Sequence, residues 1–594
     1  MLRSAVSLLL VCLTSLAGLA AEKPTVQIMP EEQVKAGMHG VAYTVFEGVT
    51  PEPMDVEILG VLRNMAGPKS DVILARLHGK KVEYFGVVAG MSGSPVYIDG
   101  KLVGAIAFRI GEFSKEPIAG ITPAGSMLEI DAMDKTPATD MAQGAGKREA
   151  SPTAGPGLAT APNQQDAGYA NLLKPIETPL VFTGFSENTL RLFSKDFASV
   201  GVVPVMGAGS VSNDKQPEPL VPGSAVSAIL VRGDMNIAGT CTVTYVDETH
   251  LLACGHPLLQ SGSIDMPMTK ATVLATLPSP ENSFKIVNST EAVGAFVQDR
   301  RAGIMGRFDR AAHMIPVTLT FRGVSHPKQF HYEVLNNAKI TPAAMKATVF
   351  NAIQGMNEYG EDTTYSLQGD IDVLGYPQLR VKNMYAPLDG TTPTAYGIAL
   401  SIGEHFSRIF ENPYATPKIE GVELNFDLVP DRRSARLETA RTDVTEARPG
   451  DEITIEALLR PYRGDSIVRQ IPVKIPTSTP RGTLRILVSD GDTLDKMRRV
   501  SGPMSRRLDL GSTIALLNKE HANSELYVSL LEANPQAMVD DKVMPTLPLS
   551  VMNVMDGMRG TQDMVVMGES AVDEASTPVD YVVTGSQIIT LTIK

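Results

Sequence analysis

Short alternating and apolar runs, broken by glycine, proline or asparagine, dominate the first 130 residues. Val56–Leu62, Asp71–Leu77 and Val82–Val88 read as strands. Pro95–Ile98 and Lys101–Phe108 flank Asp99-Gly100, and Asp-Gly between two apolar runs favours a tight hairpin because both turn positions accept positive φ. Met127–Met133 reads as a short helix. Strand patterning resumes near residue 175, with Ala225–Val231, a hairpin from Thr240–Val246 through Asp247-Glu248 into Thr249–Cys254, and Ile315–Phe321. Ser263–Phe308 gives mixed signals and several glycines. Residues 324–430 are mixed, with a helix expected over Pro342–Gln354. From Ala440 to Asp490 the alternation of Glu452–Leu459, followed by Ile471–Ile475 and Thr483–Val488, predicts a β-sandwich module. Tyr581–Lys594 alternates again. No repeat of fixed period is present.

Residues 134–172 break this pattern. They are rich in Ala, Gly, Pro, Thr and polar residues. Such a stretch lacks the apolar surface to offset its ordering entropy and reads as a disordered linker. At the N-terminus, Arg3 precedes the apolar run Ala5–Leu19, and Gly18-Leu19-Ala20 supplies a small-x-small cleavage site. The run is too short for a spanning helix and reads as a secretory signal peptide over 1–20. The expected location is secreted or periplasmic. The expected divisions are a serine-bearing β half (21–133), the linker, a histidine-bearing β half (173–323), a mixed α/β domain (324–430), a β-sandwich-like domain (431–550) and a C-terminal strand segment (551–594).

The 594 residues are too many for one core, and 43% apolar with 20% charged residues describes a folded protein. The formal charge of -13 argues against a nucleic-acid partner. Of three cysteines, Cys12 lies in the signal segment. A tight turn at Asp247-Glu248 would set Cys241 opposite Cys254, as a cross-strand disulfide or as two buried thiols. The two alone make no zinc site, and no metal motif is found. Ser489-Asp490-Gly491-Asp492 with Asp495 lacks the spacing of a calcium loop and reads as a polar turn.

The chemistry concentrates in Gly90-Met91-Ser92-Gly93-Ser94-Pro95. A serine hydroxyl needs a base to take its proton and donors aimed at the oxyanion. A Gly-x-Ser-Gly turn can offer the N–H groups of Gly90 and Ser92, and the hairpin that follows holds the loop on rigid strands. This segment resembles the nucleophile loop of chymotrypsin-like serine peptidases. It is closer still to that of the SpoIVB (stage IV sporulation protein B) peptidase family, whose loop reads Gly-Met-Ser-Gly-Ser-Pro. The resemblance implies Ser92 as nucleophile and Gly90 with Ser92 as the oxyanion hole. Cys254-Gly255-His256-Pro257 resembles the family's Gly-His segment and implies His256 as general base. Ala302-Gly303-Ile304-Met305-Gly306 resembles a Gly-Ile-x-Gly segment of the same half.

Two departures stand out. The serine half precedes the histidine half, whereas the family has the reverse order; triads are defined by geometry and not by chain order. The family's acid lies fifteen residues before the serine, where this chain has Leu77. Asp71 and Asp299 are the acids left to examine, beside a Ser–His dyad with no acid. A rival nucleophile, Cys254, lacks a glycine-built oxyanion turn.

The sequence therefore predicts a mainly β protein: a chymotrypsin-like two-part β-barrel peptidase region followed by α+β and β-sandwich-like domains. The expected function is a secreted serine endopeptidase acting through Ser92 and His256 on a protein or peptide substrate without a cofactor. The C-terminal β domains are expected to dock a cell-envelope or protein partner. The alternative is a non-catalytic envelope-associated binding protein on a degenerate peptidase scaffold.

Overall fold

The computed structural model describes residues 26–594 except 66, 69, 111–115, 134–172, 200–201, 208–213, 280–282, 324, 358–359, 361, 389–391, 500–507, 533–535, 540–541, 545–549, 552–553, 555–563 and 568–569. The signal segment and the linker lie outside the described residues. Among those described, no helix is long and apolar enough to cross a membrane.

The first unit is a closed barrel of six strands: β1 (His39–Thr44), β2 (Glu52–Leu62), β3 (Val72–His78), β4 (Pro95–Ile98), β5 (Lys101–Ile110) and β6 (Ile118–Pro123). The strands run in the order 4-1-2-3-6-5, and β4 pairs with β5 to close the ring. Closure removes exposed strand edges. Alternate residues point inward and fill the barrel with Ala42, Val56, Ile58, Ile73, Leu77, Val96 and Ile106. The expected strand over Val82–Val88 is instead a helix, α1 (Lys80–Phe85), bounded by Gly79 and Gly86 at positive φ. Of its residues only Val82 is buried, so the segment has no apolar face to give to the sheet.

Strand β7 (Leu173–Pro175) lies on the edge of β5. Strands β8 (Pro179–Thr183) and β9 (Val203–Met206) then lead into a second ring of six: β10 (Ala225–Gly233), β11 (Asn236–Val246), β12 (His250–Ala253), β13 (Gly262–Leu277), β14 (Phe284–Arg300) and β15 (Gly303–Arg307). It closes as 10-13-14-15-12-11, the same order as the first barrel. The long strands β13 and β14 fall where the sequence gave mixed signals. Their register shifts at four places, and each bulge resets the period-two pattern on which strand recognition depends.

The second barrel does not end at residue 323. Met314–Arg322 forms a hairpin with Lys328–Leu335, which pairs with β10, and the sheet continues through Ile419–Val429, Thr364–Val373 and Leu379–Tyr385. The helices Thr341–Met356 and Thr394–Phe410 share its core. Beyond it, two sheets form a sandwich. Ser586–Ile593, expected in a separate C-terminal segment, pairs along its whole length with Gly482–Ser489 inside this sandwich.

The two barrels are packed against each other. Ala105 of the first meets Leu252, Val297 and Met305 of the second, with Met127 and Ile130 of α2 (Ala124–Ala132) completing the cluster. Val45 joins Ala225, Ala271, Val273 and Val287 at another point of the seam.

Leu77 occupies the first barrel's core with no exposed surface. Restoring the family's acid there by Leu77→Asp should therefore destabilise the fold, by at least about 3 kcal/mol. It should not raise activity. Urea denaturation, with an activity assay on the remaining folded fraction, checks both.

Candidate active site

The nucleophile loop leads into β4 of the first barrel and rests on β11 of the second. Three hydrogen bonds fix it there: Thr242 N–H to the Ser92 carbonyl (2.8 Å), Thr242 Oγ1 to the Gly90 carbonyl (3.0 Å) and Thr244 Oγ1 to the Gly93 carbonyl (2.7 Å). The contact requires glycine. At Gly93, with φ 97°, a Cβ would lie 1.9 Å from the Thr242 carbonyl oxygen and 2.6 Å from the Cys254 nitrogen. Local turns engage Met91 N–H and Ser94 N–H, and Gly93 N–H donates to the Ile106 carbonyl on β5. The N–H groups of Gly90 and Ser92 have no hydrogen-bond partner among the described residues. Those are the two donors an oxyanion hole needs.

His256 arrives from the other side. β12 ends at Ala253, and Cys254 and Gly255, both at φ 69°, turn the chain sharply into the histidine. The turn is held by the Cys241–Cys254 disulfide, whose Cα atoms are 5.1 Å apart, and by Thr122 Oγ1 donating to the Gly255 carbonyl across the seam at 2.6 Å. The hairpin turn spans Asp247–His250 and is longer than expected. A bulge between Val243 and Tyr245 shifts the register, so the cysteines bridge from diagonal positions and not from directly opposite ones.

The imidazole is buried, and burial holds its pKa below the ordinary value of 6.5. The carbonyls of Pro257 and Ile176 pull the other way. Nδ1 lies 2.8 Å from the Pro257 carbonyl oxygen. A carbonyl only accepts, so Nδ1 carries the proton and Nε2 of the neutral ring keeps its lone pair. That is the tautomer a general base needs. Among the described residues, Ser92 Oγ and His256 Nε2 are both buried without hydrogen-bond partners, and they are not bonded to each other. Ser92 has no exposed surface.

Neither expected acid reaches the imidazole. Asp71 is bound by Arg63 and the Asn64 N–H, at the start of β3 and away from the seam. Asp299, fully buried near the end of β14, accepts the N–H groups of Leu258 (2.9 Å), Leu259 (2.7 Å) and Ser261 (3.3 Å). It braces the loop that follows His256. Desolvation raises its pKa against those three donors. Among the described residues there is no group of three or more potential metal ligands.

Sequence reasoning missed two members of the site. One is Ile176, whose N–H donates to the Ala107 carbonyl (2.8 Å) and whose own carbonyl is near enough to favour the charged imidazole without bonding Nε2. The other is Lys285. The segment 283–285 bonds to Ala89 on both sides, and the Lys285 side chain lies against Gly90, where a Cβ would be 3.3 Å from its Cδ. Its Nζ donates to Thr44 Oγ1 at 2.8 Å, and no carboxylate partners it among the described residues. Burial lowers the amine's pKa to about 7. Only the mixed-signal segment around it in sequence could have hinted at this place.

From about pH 7 to 10.5 the unfolded chain keeps a proton that folded Lys285 has lost, so the native state gains stability as pH rises through that window. Below pH 7 the burial cost is felt in full. Lys285→Met should therefore raise the unfolding free energy from urea titration most at pH 6, by on the order of a few kcal/mol, and the gain should shrink toward pH 10. A gain that does not vary with pH would show that the amine is not the cause.

No curated protein and no solved structure matches the chain. Residues 15–120, which contain β1 to β5 and the whole nucleophile loop, match the model of the family described as SpoIVB peptidase S55.

Proposed function

We propose that the chain is an exported serine endopeptidase that cleaves peptide bonds through Ser92 and His256 by way of an acyl-enzyme. The observation that carries this reading is a single seam. In it, a buried serine hydroxyl, two unengaged N–H groups and an imidazole with an open Nε2 are held on facing barrels. Ser92 Oγ adds to the carbonyl carbon while His256 Nε2 takes its proton, and Gly90 N–H and Ser92 N–H hold the oxyanion. The imidazolium then gives its proton to the leaving amine, and water attacks the ester left on Ser92 to release the acid. Here the Pro257 carbonyl sets the tautomer that a carboxylate sets in a full triad. It carries no formal charge, so it stabilises the imidazolium less, and turnover is expected to be slow.

Two observations favour the alternative of a scaffold without turnover: Ser92 and His256 are not hydrogen-bonded, and among the described residues no carboxylate orients the ring. Labelling of the full-length secreted protein with a fluorophosphonate separates the two. The peptidase reading expects labelling that Ser92→Ala and His256→Ala both abolish. A folded wild type that stays unlabelled on prolonged incubation would support the scaffold.

The pH dependence gives a second check. Burial disfavours the charged imidazole, so the labelling rate should stay on its plateau at pH 6.5 and fall only at lower pH, as His256 takes up a proton. An acid limb centred above 6.5 would place the base in a different environment.

A further inference from the structure

The edge of β5 beside the nucleophile is already occupied. β5 pairs with β4 as far as Ala105, and the Gly93 N–H donates to the carbonyl of Ile106. A bulge between Ile106 and Phe108 on the β6 side brings the next carbonyl, of Ala107, onto the same edge, where the Ile176 N–H takes it. The chain then runs back antiparallel, with Pro175 against Phe108, Lys174 against Arg109 and Leu173 against Ile110. An extended segment thus continues the sheet directly from the nucleophile loop, and its backbone at Ile176 lies near His256. The Ile176 side chain is buried in the first barrel's apolar cluster. Glu177, the next residue, is held by Arg109.

Addition of an extended strand to a sheet edge is how peptides are bound through their backbone, with side chains read by pockets. We infer that Leu173–Glu177 is an internal occupant of this enzyme's own substrate cleft. It keeps the site closed until displaced, and its register marks the substrate class as extended peptides with a branched aliphatic residue after proline, at the position of Ile176. The inference rests on the peptidase reading for the word substrate. The occupancy itself rests on geometry. It accounts for a nucleophile with no exposed surface. The Gly90 and Ser92 N–H groups have no partner among the described residues, so no carbonyl of the segment sits in the oxyanion hole and the segment blocks without being cut.

The test uses the full-length chain carrying Ser92→Ala, which leaves a bound peptide intact. Binding of a fluorescein-labelled Leu-Lys-Pro-Ile-Glu peptide is followed by anisotropy, with and without Ile176→Asp, which places a charge in the apolar seat. The peptide should bind the double variant at least about tenfold more tightly than Ser92→Ala alone, and a scrambled peptide should bind neither. Equal affinity in the two proteins, or no binding to a folded double variant, would overturn the inference. If Ile176→Asp does not fold, Ile176→Ala gives the same comparison with a smaller expected gain. In the background with Ser92 present, Ile176→Asp should also speed fluorophosphonate labelling. Peptide binding without any labelling would sink the peptidase reading and leave the occupied cleft standing.

Discussion

Everything chemical in this molecule depends on the seam between two closed barrels, and the seam depends on Gly93 lying flat against β11. Three hydrogen bonds cross at that point, and a single methyl group on Gly93 would collide with the Thr242 carbonyl. The barrels are rigid because their sheets close on themselves. The loop between them inherits that rigidity. In the proposed reading, that is how a serine on one barrel is presented to a histidine on the other without a direct bond between them.

In the proposed reading, the histidine works without a carboxylate. At the position fifteen residues before the serine, the barrel needs apolar volume, and Leu77 supplies it. Asp299 is buried against the loop that follows His256, and its oxygens are committed to the backbone N–H groups of Leu258, Leu259 and Ser261. Orientation of the imidazole passes to the Pro257 carbonyl, which fixes the tautomer and leaves the developing positive charge less stabilised. Lys285 adds a second unusual group behind the loop. Its amine is buried without a carboxylate partner among the described residues, so it is poised to lose its proton near neutrality and places little fixed charge beside Gly90.

A closed cleft fits slow or controlled chemistry. The segment Leu173–Glu177 lies along β5 and continues, by way of Pro179–Thr183, into the sheet of the histidine barrel. Whatever occupies the cleft is thus tied to both halves of the site. Displacing it costs backbone hydrogen bonds on the β5 edge and the burial of Ile176, and a competing peptide would recover both kinds of interaction.

The sequence by itself determined the mainly β architecture, the Asp99-Gly100 hairpin, the short helix before the linker and the residues of the nucleophile loop. Each of these is local: a turn needs positive φ, a strand needs alternation, and a glycine loop needs backbone freedom. The closure of two six-stranded rings, the diagonal register of Cys241 and Cys254, and the long bulged strands β13 and β14 were decided by tertiary structure, because bulges erase the periodicity that reveals a strand. So were the site's remaining members. Nothing in Leu-Lys-Pro-Ile-Glu marks it as a strand that fills a cleft, and nothing in the run around Lys285 marks a buried amine. Both acquire their roles only when residues far apart in the chain meet at the seam, where desolvation and backbone pairing act on groups that the sequence shows only as neighbours of other residues.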